Sequence, residues 1–86
     1  MGTLFDDAAF DDLMEWMRTD RKTADKIHKL IKDIRRNGVA NGIGHPEPLR
    51  YFEGWSRHID HGNRLVYDTD QDGNIRILSC KGHYED

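Results

Sequence analysis

Cysteine is nearly absent from this chain of 86 residues: Cys80 stands alone. A single thiol excludes an internal disulfide and a cysteine-based zinc site, and a reducing cytoplasm is the compartment that fits. No apolar run is long enough to cross a membrane, and the balance of 36% hydrophobic to 34% charged residues is that of a soluble globular protein. The opening MGTLFDDAAFDD has neither a basic start nor an apolar stretch with a cleavage site, so no secretion signal is expected there. Positive charge is not in excess either. The net charge of −3 argues mildly against a protein that coats nucleic acid. Residues 1–86 are expected to form one domain with a small core, because a chain this short buries only about 60–65% of the surface its unfolded form exposes.

The charges that are present fall in blocks. Asp6, Asp7, Asp11, Asp12, Glu15 and Asp20 face only Arg18 in the first twenty residues, whereas Arg21, Lys22, Lys26, Lys29, Lys32, Arg35 and Arg36 dominate the next stretch. Both blocks have helical periodicity. Phe10, Leu13, Met14 and Met17 predict an apolar stripe on a helix over roughly 7–18, with Asp6 or Asp7 as an acidic cap. Ala24, Ile27, Leu30, Ile31 and Ile34 predict a second over roughly 20–36, started by Thr19 or Asp20 and stopped by Asn37-Gly38. The short joint implies an antiparallel helical hairpin. On the second helix Lys22, Lys26, Lys29 and Arg36 share a face, which reads as a solvated surface or as a site for RNA or an acidic partner.

Beyond the Gly-rich loop GVANGIGHPEP (38–48), three runs rich in β-branched and aromatic residues, Trp55 to Ile59, Arg64 to Thr69 and Ile75 to Cys80, predict an antiparallel meander. Thr3-Leu4-Phe5 could add an edge strand. The fold class is therefore α+β, an N-terminal antiparallel helical hairpin packed on a small antiparallel β-sheet. Between the last two strands Asp68, Asp70, Asp72 and Gly73 match the first half of a calcium loop. The match stops there, since Ser79 stands where the bidentate glutamate belongs and strands flank the loop instead of helices, so a hairpin turn is expected.

The polar residues of the second half suit a particular chemistry. Glu47 lies between two prolines, Arg50, Arg57 and Arg64 come from the loop and two strands, and His83 with Tyr84 follows the last strand. Such a meander can bring these segments to one concave face. A base to take a proton, a guanidinium to hold a phosphate and an acid to protonate a leaving oxygen are what phosphodiester cleavage requires. At neutral pH a glutamate can accept a proton and a histidine can donate one.

PEPL (46–49), WSR (55–57), HGNRLVY (61–67) and the terminal HY (83–84), together with FDDLMEW (10–16) and LIKDIRRN (30–37), resemble the Txe/YoeB family of toxins in the RelE superfamily, in the same order and with nearly the same spacing. The resemblance implies a RelE-like, microbial-ribonuclease-like fold and a metal-independent endoribonuclease with no cofactor that cuts mRNA in the ribosomal A site. By the resemblance Glu47 takes the proton from the ribose 2′-hydroxyl, Arg64 stabilises the phosphorane, and His83 protonates the departing 5′ oxygen, leaving a 2′,3′-cyclic phosphate. Arg50, Arg57 and Trp55 match positions near the substrate, and Tyr84 matches an aromatic that positions RNA. The partners implied are the 70S ribosome with mRNA, a cognate antitoxin of the YefM/Axe type, operator DNA only through that antitoxin, and a second copy in a homodimer. One departure concerns the site itself: after Trp55-Ser56-Arg57 the family often has a second arginine, and here His58 makes phosphate contact weaker or dependent on pH.

Other readings are an antitoxin-binding co-repressor with little or no catalysis, and a relaxed member aimed at another target, as related toxins lacking the Glu, Arg and His act on DNA gyrase. A zinc site from His58, His61 and His83 is disfavoured by their scatter over strand, turn and tail.

Overall fold

Asp20 divides the first part of the chain into two helices. In the computed structural model, which describes residues 1–83, β1 (Thr3–Phe5) leads into α1 (Asp7–Thr19) and, past Asp20, α2 (Arg21–Asn37). Of the expected caps, Asp20 is the one used: its carboxylate accepts from the Thr23 amide at 3.2 Å and the Thr23 hydroxyl at 2.8 Å. Asp6 holds the N-cap position of α1 without a side-chain bond. Gly38, at φ 89°, ends α2 by donating its amide to Ile34 O at 2.8 Å, in a conformation that favours glycine.

The stripe on α2 is buried as its periodicity predicts, with Ala24, Ile27, Leu30, Ile31 and Ile34 all in the interior. The stripe on α1 is buried only in part: Leu13 packs against the core, joined by Ala9 and Trp16, whereas Phe10 and Met17 are 48% and 43% exposed. Ala9 lets the helix backbone approach the sheet closely, which turns the larger Phe10 outward. Its ring meets Phe5 edge-on at 6.2 Å.

Four more strands complete the fold: β2 (Glu47–Pro48), β3 (Trp55–His58), β4 (Arg64–Thr69) and β5 (Ile75–Ser79). The sheet order is β1-β5-β4-β3-β2. The meander β3-β4-β5 is antiparallel, but β1 pairs with β5 in parallel, so the α+β class holds while the sheet is mixed. The helices between β1 and the meander make this crossover. The two-residue β2, inside what the sequence presents as a loop, pairs with β3 at the edge, where Pro48 is tolerated.

Leu65, Tyr67, Ile75 and Ile77 pack with α2 on the inner face of the sheet. Between Val66 and Tyr67 the register against β5 slips, Tyr67 facing Ile77 and Val66 facing Ser79, so that Leu78 is an extra residue on β5. The bulge reverses the alternation beyond it and sends Cys80 into the core, where its thiol donates to Ala9 O at 3.4 Å. The DQDGN segment is the expected hairpin turn. Asp70 accepts from the amides of Asp72 and Asn74, each at 2.9 Å, and Gly73 takes φ 78°. Among the described residues no helix is long and apolar enough to cross a membrane.

The most consequential buried side chain is charged. Arg57 is 0% exposed and spends its whole guanidinium on the protein: Nε donates to Tyr67 Oη at 2.8 Å, Nη1 to Asp33 Oδ2 at 2.6 Å and Ile43 O at 3.0 Å, and Nη2 to Gly38 O at 2.9 Å and Asn41 O at 2.7 Å. Tyr67 in turn donates to Val39 O at 2.7 Å. The loop from Gly38 to Ile43 is thus wound around one guanidinium. Gly42 is required there, since a Cβ at that position would overlap the Asp33 carboxylate.

Two outcomes are expected. Arg57→Met should lower the unfolding free energy in urea by about 3–5 kcal/mol, by stranding Asp33 and the loop carbonyls, whereas Arg50→Met at an exposed position should stay within about 0.5 kcal/mol. Burial pushes the Asp33 carboxyl up, but bonds from Arg57, the Ile43 amide and Asn37 outweigh it and hold the group below the usual carboxylate range. Its contribution is therefore complete above the unfolded aspartate value of about 3.9 and disappears as pH falls through the lower folded value. Second, burial, with Asp12 adding to it, pushes the Cys80 thiol up to about 12, so a thiol reagent should label Cys80 only after unfolding.

Candidate active site

The face of the sheet turned away from the helices carries a second, different set of residues. Because paired residues share a face, Glu47 on β2, Ser56 on β3, Val66 on β4 and Ser79 on β5 form one row across it. His58 and Arg64, paired across β3 and β4, form the next. Trp55 and Arg57 alternate with these and point the other way. The expectation that both lie near the substrate is corrected accordingly: Trp55 packs against the core, and Arg57 has no N–H left for a phosphate. Arg50 is exposed in the loop after β2. Tyr84 lies outside the described residues.

Arg64 is held differently from Arg57. Its Nη1 donates to the carbonyls of Asp60, His61 and Asn63 at 2.9, 3.3 and 3.1 Å, anchoring one corner of the guanidinium in the β3–β4 turn. Among the described residues its Nε and Nη2 make no hydrogen bond and no carboxylate pairs with it, which leaves a fork of donors for an anion.

The segment bearing His83 is fixed from two sides. Trp16 of α1 donates Nε1–H to Cys80 O at 2.9 Å, and Lys81 bonds Glu15 at 2.6 Å. From the turn, Asn63 Oδ1 accepts the Gly82 amide at 2.8 Å, while Gly82 O accepts the Arg64 amide at 2.9 Å. Asn63 thus couples the backbone of Arg64 to the residue before His83. The HGN segment reads in sequence only as a turn, so this role was not visible there.

His58 registers how these groups converge. Its imidazole is held below the ordinary histidine range by burial first, then by the charge of Arg64, opposed by Glu47 and reinforced by His45 and His83. The charges of all four groups are thus felt at His58, with Glu47 coming from β2, Arg64 from β4 and His83 from the C-terminal segment. His45, unremarked in the sequence, lies with its ring centroid 5.5 Å from that of His58. Chemically, the arrangement offers a carboxylate, a free guanidinium edge and imidazoles around a partly buried centre.

Residues 5–84 match the model of a family described as YoeB-like toxin of bacterial type II toxin-antitoxin system. The chain belongs to this family. It is 44% identical to Toxin RelK of Mycobacterium tuberculosis over 82 residues, 93% of this chain and 94% of the relative. It is 40% identical to Toxin YoeB of Escherichia coli K12 over 86 residues, 98% and 100% of the two chains. A solved YoeB dimer from Staphylococcus aureus superimposes with a TM-score of 0.90 at 44% identity, covering 98% of each chain. A heterotetrameric YoeB-YefM toxin-antitoxin complex from the same species gives 0.89 at 43%, again over 98% of each chain. The YoeB-like architecture thus extends over nearly the whole chain, including the mixed sheet that carries Glu47 and Arg64.

Asn63→Ala should release the Gly82 amide without disturbing the core. One neutral hydrogen bond is worth about 0.5–1.5 kcal/mol, so amide exchange at Gly82 should accelerate roughly two- to tenfold while exchange at Ile77 is unchanged.

Proposed function

We propose that the chain is a ribosome-dependent endoribonuclease that cleaves mRNA in the A site and so inhibits translation. The observation that carries this reading is the convergence of Glu47, Arg64 and His83 about His58 on one face of the sheet. Glu47 takes the proton of the ribose 2′-hydroxyl as that oxygen attacks phosphorus. Arg64, with its unpaired edge, stabilises the charge that grows on the phosphorane. His83 gives its proton to the 5′ oxygen as the P–O bond breaks, leaving a 2′,3′-cyclic phosphate and a 5′-hydroxyl. Side chains fill each of these roles without a metal. Arg50 and Tyr84 contact the RNA beside them, and a base stacked on the tyrosine would add about 1–3 kcal/mol.

The partners follow from the same reading: the 70S ribosome and mRNA as target in the cytoplasm, a YefM-like antitoxin as inhibitor, operator DNA only through that antitoxin, and a second copy of the chain. The dimer and the YefM complex of the staphylococcal relatives support the last copy and the antitoxin. A groove of about 400 Å³ beside β1, lined by Phe5, Leu13, Met17, Ile27 and Ile31, supplies apolar surface that suits a bound peptide segment.

Primer extension on mRNA in a purified translation system tests the reading. The wild type should cut at A-site codons, and Glu47→Ala and His83→Ala should each slow cutting by about 10²–10⁴-fold. An intact message in the presence of wild-type protein that still binds an antitoxin would leave a binding module in place of the enzyme.

A further inference from the structure

Cleavage as described above leaves two histidines of the site without a task. His58 stands on β3 directly across from Arg64, its amide bonded to Gly44 O at 2.7 Å, so that the loop before β2 is pinned against the strand. His45 follows in that loop at φ 53°, the positive-φ position held by a residue other than glycine among the described residues. Side chains rarely adopt this backbone, and where they do, the surroundings impose it, often at sites of function. Its result here is the 5.5 Å contact between the two rings. Among the described residues neither ring has a hydrogen-bond partner, so their nitrogens remain available to a ligand.

We propose that His58 is a proton-loaded grip on the RNA phosphate: the phosphodiester seated on Arg64 draws a proton from solvent onto His58 and is then held by two cations, while His45 fixes the His58 ring. The inference rests on the ribonuclease reading and adds a substrate contact to it. The groups facing His58 are Arg64 from β4, Glu47 from β2, His45 from the loop and His83 from the C-terminal segment. In the free protein burial and the three basic neighbours keep the imidazole neutral near pH 7, against the pull of Glu47. A bound phosphate reverses the balance by placing negative charge between Arg64 and His58. An arginine at this position would stay charged at every pH. A histidine makes the contact conditional, strongest in mild acid and weakening as pH rises through the pKa of the bound state.

The test is an NMR titration of the His58 ring with and without a short single-stranded RNA whose scissile 2′-hydroxyl is replaced by hydrogen, which binds without being cut. RNA should raise the His58 pKa by about one unit, equivalent to roughly tenfold tighter binding by the protonated form. Wild-type affinity should fall about tenfold between roughly pH 5.5 and pH 8, His58→Arg should bind tightly at both, and His58→Gln weakly at both. His83→Gln should retain the His58 shift, which assigns the proton to His58. A His58 resonance unmoved at saturating RNA, or a His58→Gln variant with the wild-type pH slope, would overturn the inference. So would RNA that fails to bind the wild type at about millimolar concentration. None of these results touches the ribonuclease reading, which primer extension decides separately.

Discussion

The buried ion pair of Arg57 and Asp33 fixes the rest of the site. A guanidinium removed from water carries a desolvation cost of several kcal/mol, and it is tolerated only when its donors are satisfied. Here they are met by Asp33, Tyr67 and three loop carbonyls. The loop from Gly38 to Ile43 has little apolar material beyond Val39 with which to hold itself down, and its order comes largely from that cation and its partners Asp33 and Tyr67. The same loop continues through Gly44, which accepts the His58 amide, to His45 and then Glu47. The position of the candidate base is therefore set several residues upstream, through a loop held by a charge whose donors are all spent inside the protein.

Much of the fold was legible in the sequence, and the failures share one cause. The α2 stripe, the cap at Asp20, the three strands of the meander and the turn at Asp70 follow from local periodicity and turn chemistry, which neighbours do little to change. Long-range choices were harder. That β1 joins β5 in parallel depends on the crossover, and that α1 presents Ala9 instead of Phe10 depends on how closely the helix approaches the sheet. Arg57 is the sharpest case. In Trp-Ser-Arg-His no hydrophobic alternation marks the inner face, because the inward residues are a tryptophan and a fully buried arginine. The resemblance of its motifs identified the family, whereas strand pairing shows that Arg57 is buried on the helix side of the sheet and Arg64 lies on the opposite face.

The site draws on segments far apart in the chain. Glu47 comes from the edge strand β2, held by the Arg57 loop; His83 comes from beyond β5, held by Trp16 and Asn63. The extra Leu78 links these facts. Without that bulge, alternation would carry Cys80 away from the core and Ser79 into it, and the segment approaching Arg64 would present its opposite face. A single inserted residue thus reconciles a thiol buried against Ala9 with a backbone at Gly82 that bonds both Asn63 and Arg64.

A net charge of −3 is a poor guide to what such a surface attracts. Fields of exposed charges fade over a Debye length of about 8 Å at physiological salt, so an anion responds to the groups near it. Arg57 is matched by Asp33 and Arg76 by Asp68, which removes two cations and two carboxylates from the account together. Asp68 and Asp70 lie by the turn at the far end of the β4–β5 hairpin from Arg64, which opens β4. At the site itself Arg64 meets carbonyls instead of a carboxylate, and three histidines stand near it against one glutamate. His58, held below the ordinary histidine range, adds little repulsion of its own at neutral pH. A weakly acidic protein can therefore present a locally basic surface.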